Sequence, residues 1–210
     1  MISPRAVIFD FGGVVCFHPT NEKYDRLAEL LGVPTSRLYE LFWANRIDYD
    51  AGLLDSRAYW SRVTEAAGKT LDGTLLRTLI DHEIHLWDNY DRRVLAWIAQ
   101  LRANGIRTGM LSNLPPPLGA ALRGTPGLLD PFDHLTFSYE LKIVKPQPGI
   151  YHDAVRGVGV EPAQALFLDD RPDNVEGARA IGMHAELYST WEAFLEQAAG
   201  RYALPMLQSP

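Results

Sequence analysis

Three apolar runs, far apart in the chain, each end in groups that can do chemistry. Ala6–Phe9 runs into Asp10 and then Phe11, Gly12 and Gly13; Ile106–Leu111 runs into Ser112 and Asn113; Ala165–Leu168 runs into Asp169 and Asp170. A short unbroken apolar run bounded by turn residues reads as a buried strand. In an open parallel sheet, ligands sit beyond the carboxyl ends of the strands, so these ends would deliver carboxylates, a hydroxyl and an amide to one edge. Singly, each has a plainer reading: Asp10 can cap a turn, and Ser112 and Asn113 can cap a loop. Caps alone do not explain three such ends together, and the paired glycines let backbone pass close to a ligand.

The elements that must position these groups follow from the spacing. After the first strand the pattern turns helical. Asn21–Leu31 puts Tyr24, Leu27, Ala28 and Leu31 on one face before Gly32 and Pro34, and Thr35 or Ser36 opens a second helix through Leu38, Leu41, Phe42 and Ile47. Tyr49–Leu54 breaks the pattern. Asp55 or Ser56 then caps a third helix through Tyr59, Trp60 and Val63, and Asp72 caps a fourth through Leu75, Leu76, Leu79 and Ile80. From Tyr90 helix and strand alternate: helix Asp91–Asn104, strand Ile106–Leu111, a strand around Leu135–Tyr139, helix Gly149–Val158, strand Ala165–Leu168, helix Asp173–Ile181 and strand Met183–Leu187. Ser189 with Glu192 reads as a capping box for a last helix. Alternation of this kind predicts an α/β fold, a doubly wound parallel sheet of five strands, with a four-helix insertion after the first.

The 210 residues are 47% hydrophobic, enough for a sizeable core. A net charge of -6 gives no electrostatic reason to expect nucleic acid or an anionic membrane as partner. The single cysteine, Cys16, excludes an internal disulfide and reads as a small core residue. MISPR before the first strand does not read as a signal peptide, and no apolar run approaches a membrane span, so a cytoplasmic location is the expectation.

Four motifs in order, FDFGGVV with Asp10, LSN with Ser112, IVKPQPGIY with Lys145 and LDDRPDNVEGARAIGM with Asp170, make the chain resemble the haloacid dehalogenase superfamily over nearly its whole length. Most members of that superfamily are magnesium-dependent phosphatases acting through an aspartyl-phosphate. The resemblance implies a Rossmann-like core over 1–17 and 89–210, and over 18–88 the small helical cap of one subfamily (subfamily I, C1 cap). It further implies hydrolysis of a small phosphorylated metabolite, a phosphate monoester such as a sugar phosphate, by a monomer or homodimer.

By that resemblance Asp10 is the nucleophile. Asp10, the Gly12 carbonyl and Asp170 would hold Mg2+, which favours oxygen ligands, and Asp169 would reach the metal through water or orient Lys145. Lys145 would hold the nucleophile and a phosphate oxygen as a point charge. Ser112, the Asn113 amide and Gly13 would bind phosphate. Arg171 would meet a substrate oxygen or pair with Asp173, and either Asp173 or Asn174 would hold a metal-bound water.

One departure matters: relatives usually carry a second aspartate two residues after the nucleophile, as general acid and base, and this chain has Gly12. Such a glycine resembles a bacterial branch that includes sugar-1-phosphate phosphatases. His18, just past the turn, is the candidate replacement as proton donor. In the cap, Tyr39, Trp43, Tyr59 and Trp60 read as core, Arg57 and Arg62 as solvated, and Arg46, Tyr49 and Asp50 as candidates for substrate contact. His82 and His85, three apart, lack a third soft ligand nearby and read as structural. Two other readings stay open: a 2-haloacid dehalogenase using Asp10 without metal, and a phosphate-ligand-binding protein without turnover.

Overall fold

A computed structural model of the chain describes residues 1–205, so the last five positions of the expected core range 89–210 lie outside the described residues. Strand β1 (Ala6–Phe9) is fully buried and lies at the centre of a five-stranded parallel sheet. Its neighbours are β2 (Arg107–Ser112) and β4 (Ala165–Asp169), with β3 (His134–Phe137) outside β2 and β5 (His184–Leu187) outside β4. The order β3-β2-β1-β4-β5 places the reversal of winding beside β1, where a crevice opens beyond the strand ends. Phe9 pairs with both Met110 and Leu168, so the residues that follow all three strands emerge at one edge.

Side chains alternate across the sheet, and helices cover both faces. Val7, Phe9, Met110 and Leu168 pack with α6 (Arg92–Ala103), α7 (Pro116–Gly124) and α11 (Trp191–Ala198). Phe9 meets Trp97 edge-on at 5.5 Å, a contact worth about 0.5–1.5 kcal/mol beyond the burial itself. Ile8, Leu111 and Phe167 pack with α9 (Pro148–Gly157) and α10 (Pro172–Ala180). Cys16 is buried, as read from the sequence.

The insertion carries helices α1 (Asn21–Leu31), α2 (Thr35–Ala44), α3 (Arg46–Asp50), α4 (Ser56–Ala66) and α5 (Gly73–Leu86) around an apolar cluster of their own. The expected four helices are therefore joined by a short fifth on the segment read as the end of α2 and a break. Asn45 interrupts α2, and Ile47, expected inside that helix, lies on α3 and is exposed. The chain leaves and re-enters the core side by side, with Cys16 bridged to Tyr90 and the Phe17 amide donating to the Asn89 carbonyl. Asp55 and Asp72 cap α4 and α5 as expected.

Two local readings are corrected, and one helix was not anticipated. Thr190, not Ser189, caps α11: its hydroxyl accepts from the Ala193 amide. The chain turns at Ser138 into a one-turn helix, α8 (Ser138–Leu141), so Ser138 and Tyr139 lie outside β3. Helix α7 was hidden by its prolines, which the first turn of a helix tolerates because its amides have no partner there. Among the described residues no helix is long and apolar enough to cross a membrane.

Candidate active site

Asp10 follows β1 and is fixed by its own backbone, whose amide donates to the Leu168 carbonyl at 2.8 Å. Its Oδ1 accepts from the Phe11 amide at 2.6 Å and lies 2.9 Å from Lys145 Nζ; its Oδ2 has no hydrogen bond among the described residues. Lys145 is buried, and its ammonium also meets Asp169 Oδ2 at 2.6 Å and the Leu111 carbonyl at 3.2 Å. Burial opposes its charge, but Asp10 and Asp169 outweigh that and hold its pKa above the ordinary lysine value. Asp169 is fully buried and saturated: besides Lys145 it accepts from the Arg171 amide at 2.8 Å and from Asn174 Nδ2 at 3.0 and 3.1 Å. Burial works against its carboxylate too, yet Lys145 and these donors keep its pKa below the ordinary value.

Oxygens of Asp10, Asp169 and Asp170 lie within 4.8 Å of one another. One ammonium does not balance them. Burial first, then Asp169 and Asp170, push Asp10 up to about 7 against the pull of Lys145. A hard cation on the open oxygens of Asp10 and Asp170 would relieve this, and an all-oxygen donor set suits magnesium. Asp169 is occupied by Lys145 and Asn174. Of the two candidates left open in the fourth motif, Asn174 is the buried brace of Asp169, and Asp173 is exposed at the rim.

A cavity of about 770 Å3 opens over these groups, between the sheet edge and the helical insertion. Ser112 lies on its wall, as does Asn113, whose side-chain amide is spent on Lys145, accepting from its N–H at 2.8 Å and donating to its carbonyl at 3.1 Å. His18 also lines it, with Nε2 3.0 Å from Asp170 Oδ2, a contact that raises its pKa. Arg171 is on the rim without an ion pair among the described residues; the alternative pairing with Asp173 does not form.

Gly13 is not a wall of the cavity. It adopts φ +79°, and a Cβ there would lie 2.7 Å from Asp170 Cγ and 2.8 Å from His18 Nε2, so its missing side chain makes room for both. Gly12 has an equally concrete cause: a Cβ there would lie 2.8 Å from Trp87 Cζ3. The indole fills the place into which a side chain at position 12 would project.

Two readings of the insertion are reversed. Tyr49, expected to touch substrate, is fully buried, stacked on Tyr59 at 4.1 Å, with its hydroxyl bonded to Ser56 and Glu83. Trp43, expected in the core, is 45% exposed and lines the cavity. Arg46 and Asp50 do reach the cavity, but as members of a buried ion cluster: Arg46 lies 2.8 Å from Asp50 and also pairs with Glu83. Trp87, Leu118 and Val144 also line the cavity and carried no sequence signal. Arg57 and Arg62 are exposed, and His82 and His85 bond backbone carbonyls of their own helix.

A carboxylate at the central strand's end, a lysine upon it and two further carboxylates beside it form the polar centre of a cavity at the edge of a doubly wound sheet. Residues 4–182 match the family model of the haloacid dehalogenase-like hydrolases, and the chain belongs to that family. It is 31% identical to a phosphoglycolate phosphatase of Rhodospirillum rubrum over 86% of this chain and 77% of that one. It is 26% identical to the phosphatase MT3486 of Mycobacterium tuberculosis, over 89% and 88% of the two chains. The fold is shared with a HAD family enzyme of Bacteroides thetaiotaomicron solved with magnesium and inorganic phosphate, at a TM-score of 0.74 and 20% identity, covering 92% of this chain and 99% of that one.

Proposed function

We propose that the protein hydrolyses small phosphate monoesters by covalent catalysis at Asp10, with Mg2+ held by Asp10, Asp170 and the Gly12 carbonyl. The observation that carries the reading is the Asp10, Asp169 and Asp170 cluster, its oxygens within 4.8 Å, with Lys145 the single buried ammonium among them. When bound, magnesium would supply positive charge to the phosphoryl oxygens. The names of the relatives support the phosphatase reading.

Asp10 Oδ2, free of hydrogen bonds, attacks phosphorus; the Oδ2–P bond forms as the P–O bond to the alcohol breaks. Lys145 holds the other Asp10 oxygen in place and offsets charge at the phosphoryl group, and Ser112 and the Asn113 backbone amide bind phosphate oxygens. The leaving oxygen takes its proton from His18 Nε2, whose raised pKa favours the protonated form. Water then attacks phosphorus, giving a proton to His18, and releases phosphate and the Asp10 carboxylate. His18 thus takes the work of the acid that Gly12 lacks.

Residues 18–88 act in this reading as a cap domain over the core formed by 1–17 and from 89 onward. Their separate apolar cluster and the paired crossings at Phe17 and Asn89 support the division. The phosphoryl half of the site is blind to the alcohol, so sugar phosphates are among the substrates to assay.

Hydrolysis of p-nitrophenyl phosphate by wild type and Asp10→Asn, with and without chelator, tests the proposal. Turnover that needs magnesium and is lost in the variant is expected. Halide release from 2-chloropropionate in chelator would replace it with the dehalogenase reading, and turnover by Asp10→Asn would remove Asp10 as nucleophile.

A further inference from the structure

Resting on the phosphatase reading, we propose that the alcohol half of the substrate is uncharged and apolar, an aryl-alkyl or branched-alkyl group, and that Trp43 and Ile47 select it. The cavity is two-sided. Its floor carries the carboxylates, Ser112 and Lys145; its insertion side carries Trp43, Ile47 and Tyr24, continued by Trp87 and by Leu118 of the core.

Trp43 and Ile47 are 45% and 69% exposed, two of the six large exposed hydrophobic residues among the described residues, and both line this one cavity. A single exposed apolar side chain needs no explanation, but an apolar wall facing a set of convergent polar groups is the form of a ligand pocket.

Charge on the same wall points the same way. A second anionic group, such as a carboxylate or another phosphate, needs a free cation opposite the phosphoryl subsite. Arg46 is the arginine that the insertion brings to the cavity, and it is bound between Asp50 and Glu83, while His18 is held by Asp170. With both carboxylates ionised that cluster carries -1, and with one protonated it is neutral. Lys145 is spent on Asp10 and Asp169, and Arg171, without an ion pair among the described residues, belongs to the core rim next to Asp170 and not to the wall that carries Trp43 and Ile47. A polyhydroxy alcohol would exchange water for indole and sec-butyl surface, leaving its hydroxyls unpaired, whereas an apolar group gains by the same exchange.

The test compares primary alkyl esters of similar leaving ability: 2-phenylethyl phosphate and 3-methylbutyl phosphate against ribose 5-phosphate and phosphoglycolate, with wild type, Trp43→Ala and Ile47→Asn. In wild type kcat/KM for the apolar pair should exceed that for the polar pair by about tenfold or more. Trp43→Ala should reduce that ratio about tenfold, and Ile47→Asn, at a side chain so exposed that folding is not at stake, should reduce it in the same direction. Preference for ribose 5-phosphate or phosphoglycolate, or a ratio that neither variant moves, overturns the inference and leaves the phosphatase reading standing. No turnover of any ester, p-nitrophenyl phosphate included, defeats both.

Discussion

Gly12→Ala adds one carbon, and the surrounding geometry sets its cost. Gly12 is not among the glycines at positive φ, so an alanine there meets no backbone penalty. It meets Trp87, with Cζ3 2.8 Å and Cη2 3.2 Å from the new Cβ. Ordinary carbon contacts begin near 3.5 Å, so the ring must retreat by about 0.7 Å. Phe11 and His18 flank it, each with its centroid 6.5 Å away. Overpacking of this kind costs about 1–3 kcal/mol, while replacing glycine by alanine recovers about 0.4–1 kcal/mol through the unfolded chain. The net expectation is destabilisation by about 1–2 kcal/mol. In a Trp87→Ala background the clash is gone and only the second effect remains, so the same substitution should become stabilising. Urea unfolding of the four proteins, in chelator to remove any bound cation, measures the coupling directly, expected at about 1–3 kcal/mol. Stabilisation by Gly12→Ala in both backgrounds would refute the account of why position 12 lacks its acid.

His18→Gln should lower kcat for an alkyl phosphate by about 10²–10⁴ and for p-nitrophenyl phosphate much less, because the better leaving group needs little protonation; equal losses would remove His18 as the proton donor. Lys145→Met leaves Asp10 and Asp169 buried without their cation and should cost about 3–5 kcal/mol in urea unfolding at pH 7, part of it regained on adding magnesium chloride. Asp91 caps α6 through the Arg93 amide and pairs with the Arg93 guanidinium at 2.7 Å. Burial disfavours its charge, but these donors prevail and lower its pKa. Asp91→Ala should therefore cost about 1–2 kcal/mol at neutral pH. That deficit should hold above the ordinary value of 3.8 and close as the pH falls through the lower folded value, which calorimetry across pH 2–7 would follow.

The strand ends were legible because they depend on local facts: a fully buried parallel strand must be apolar throughout, and the polar residue that ends it marks the edge. Asp10, Ser112, Asp169 and Asp170 all came from that one rule. The insertion was harder for a physical reason. Which side of a helix faces a cavity depends on how the helices are rotated against one another, and the break at Asn45 followed by the short α3 sets that rotation. Tyr49 was thereby turned inward and Trp43 outward, the reverse of the reading from spacing. Trp87 was invisible because its role is to fill a place next to Gly12, a contact spanning most of the insertion. Asn174 and Asp173 are adjacent and both polar, and only the fold shows that the amide turns in to Asp169.

Two of the hydrogen bonds that seat the insertion on the core are accepted by its main chain. The Ser138 hydroxyl donates to the Asp50 carbonyl, and Lys142 Nζ reaches the Gly52 carbonyl at 2.7 Å. A carbonyl is the same whatever side chain its residue carries, so these two bonds do not read the identity of the residues above them. The exception is Gly52, at φ +61°, where a Cβ would lie 3.0 Å from the Tyr139 carbonyl oxygen. Trp43 and Ile47, exposed and outside these contacts, can therefore be exchanged while the two bonds stay as they are. That makes the lining a modular surface, on which a library varied at Trp43 and Ile47 would sample new alcohols without putting the chemistry at risk.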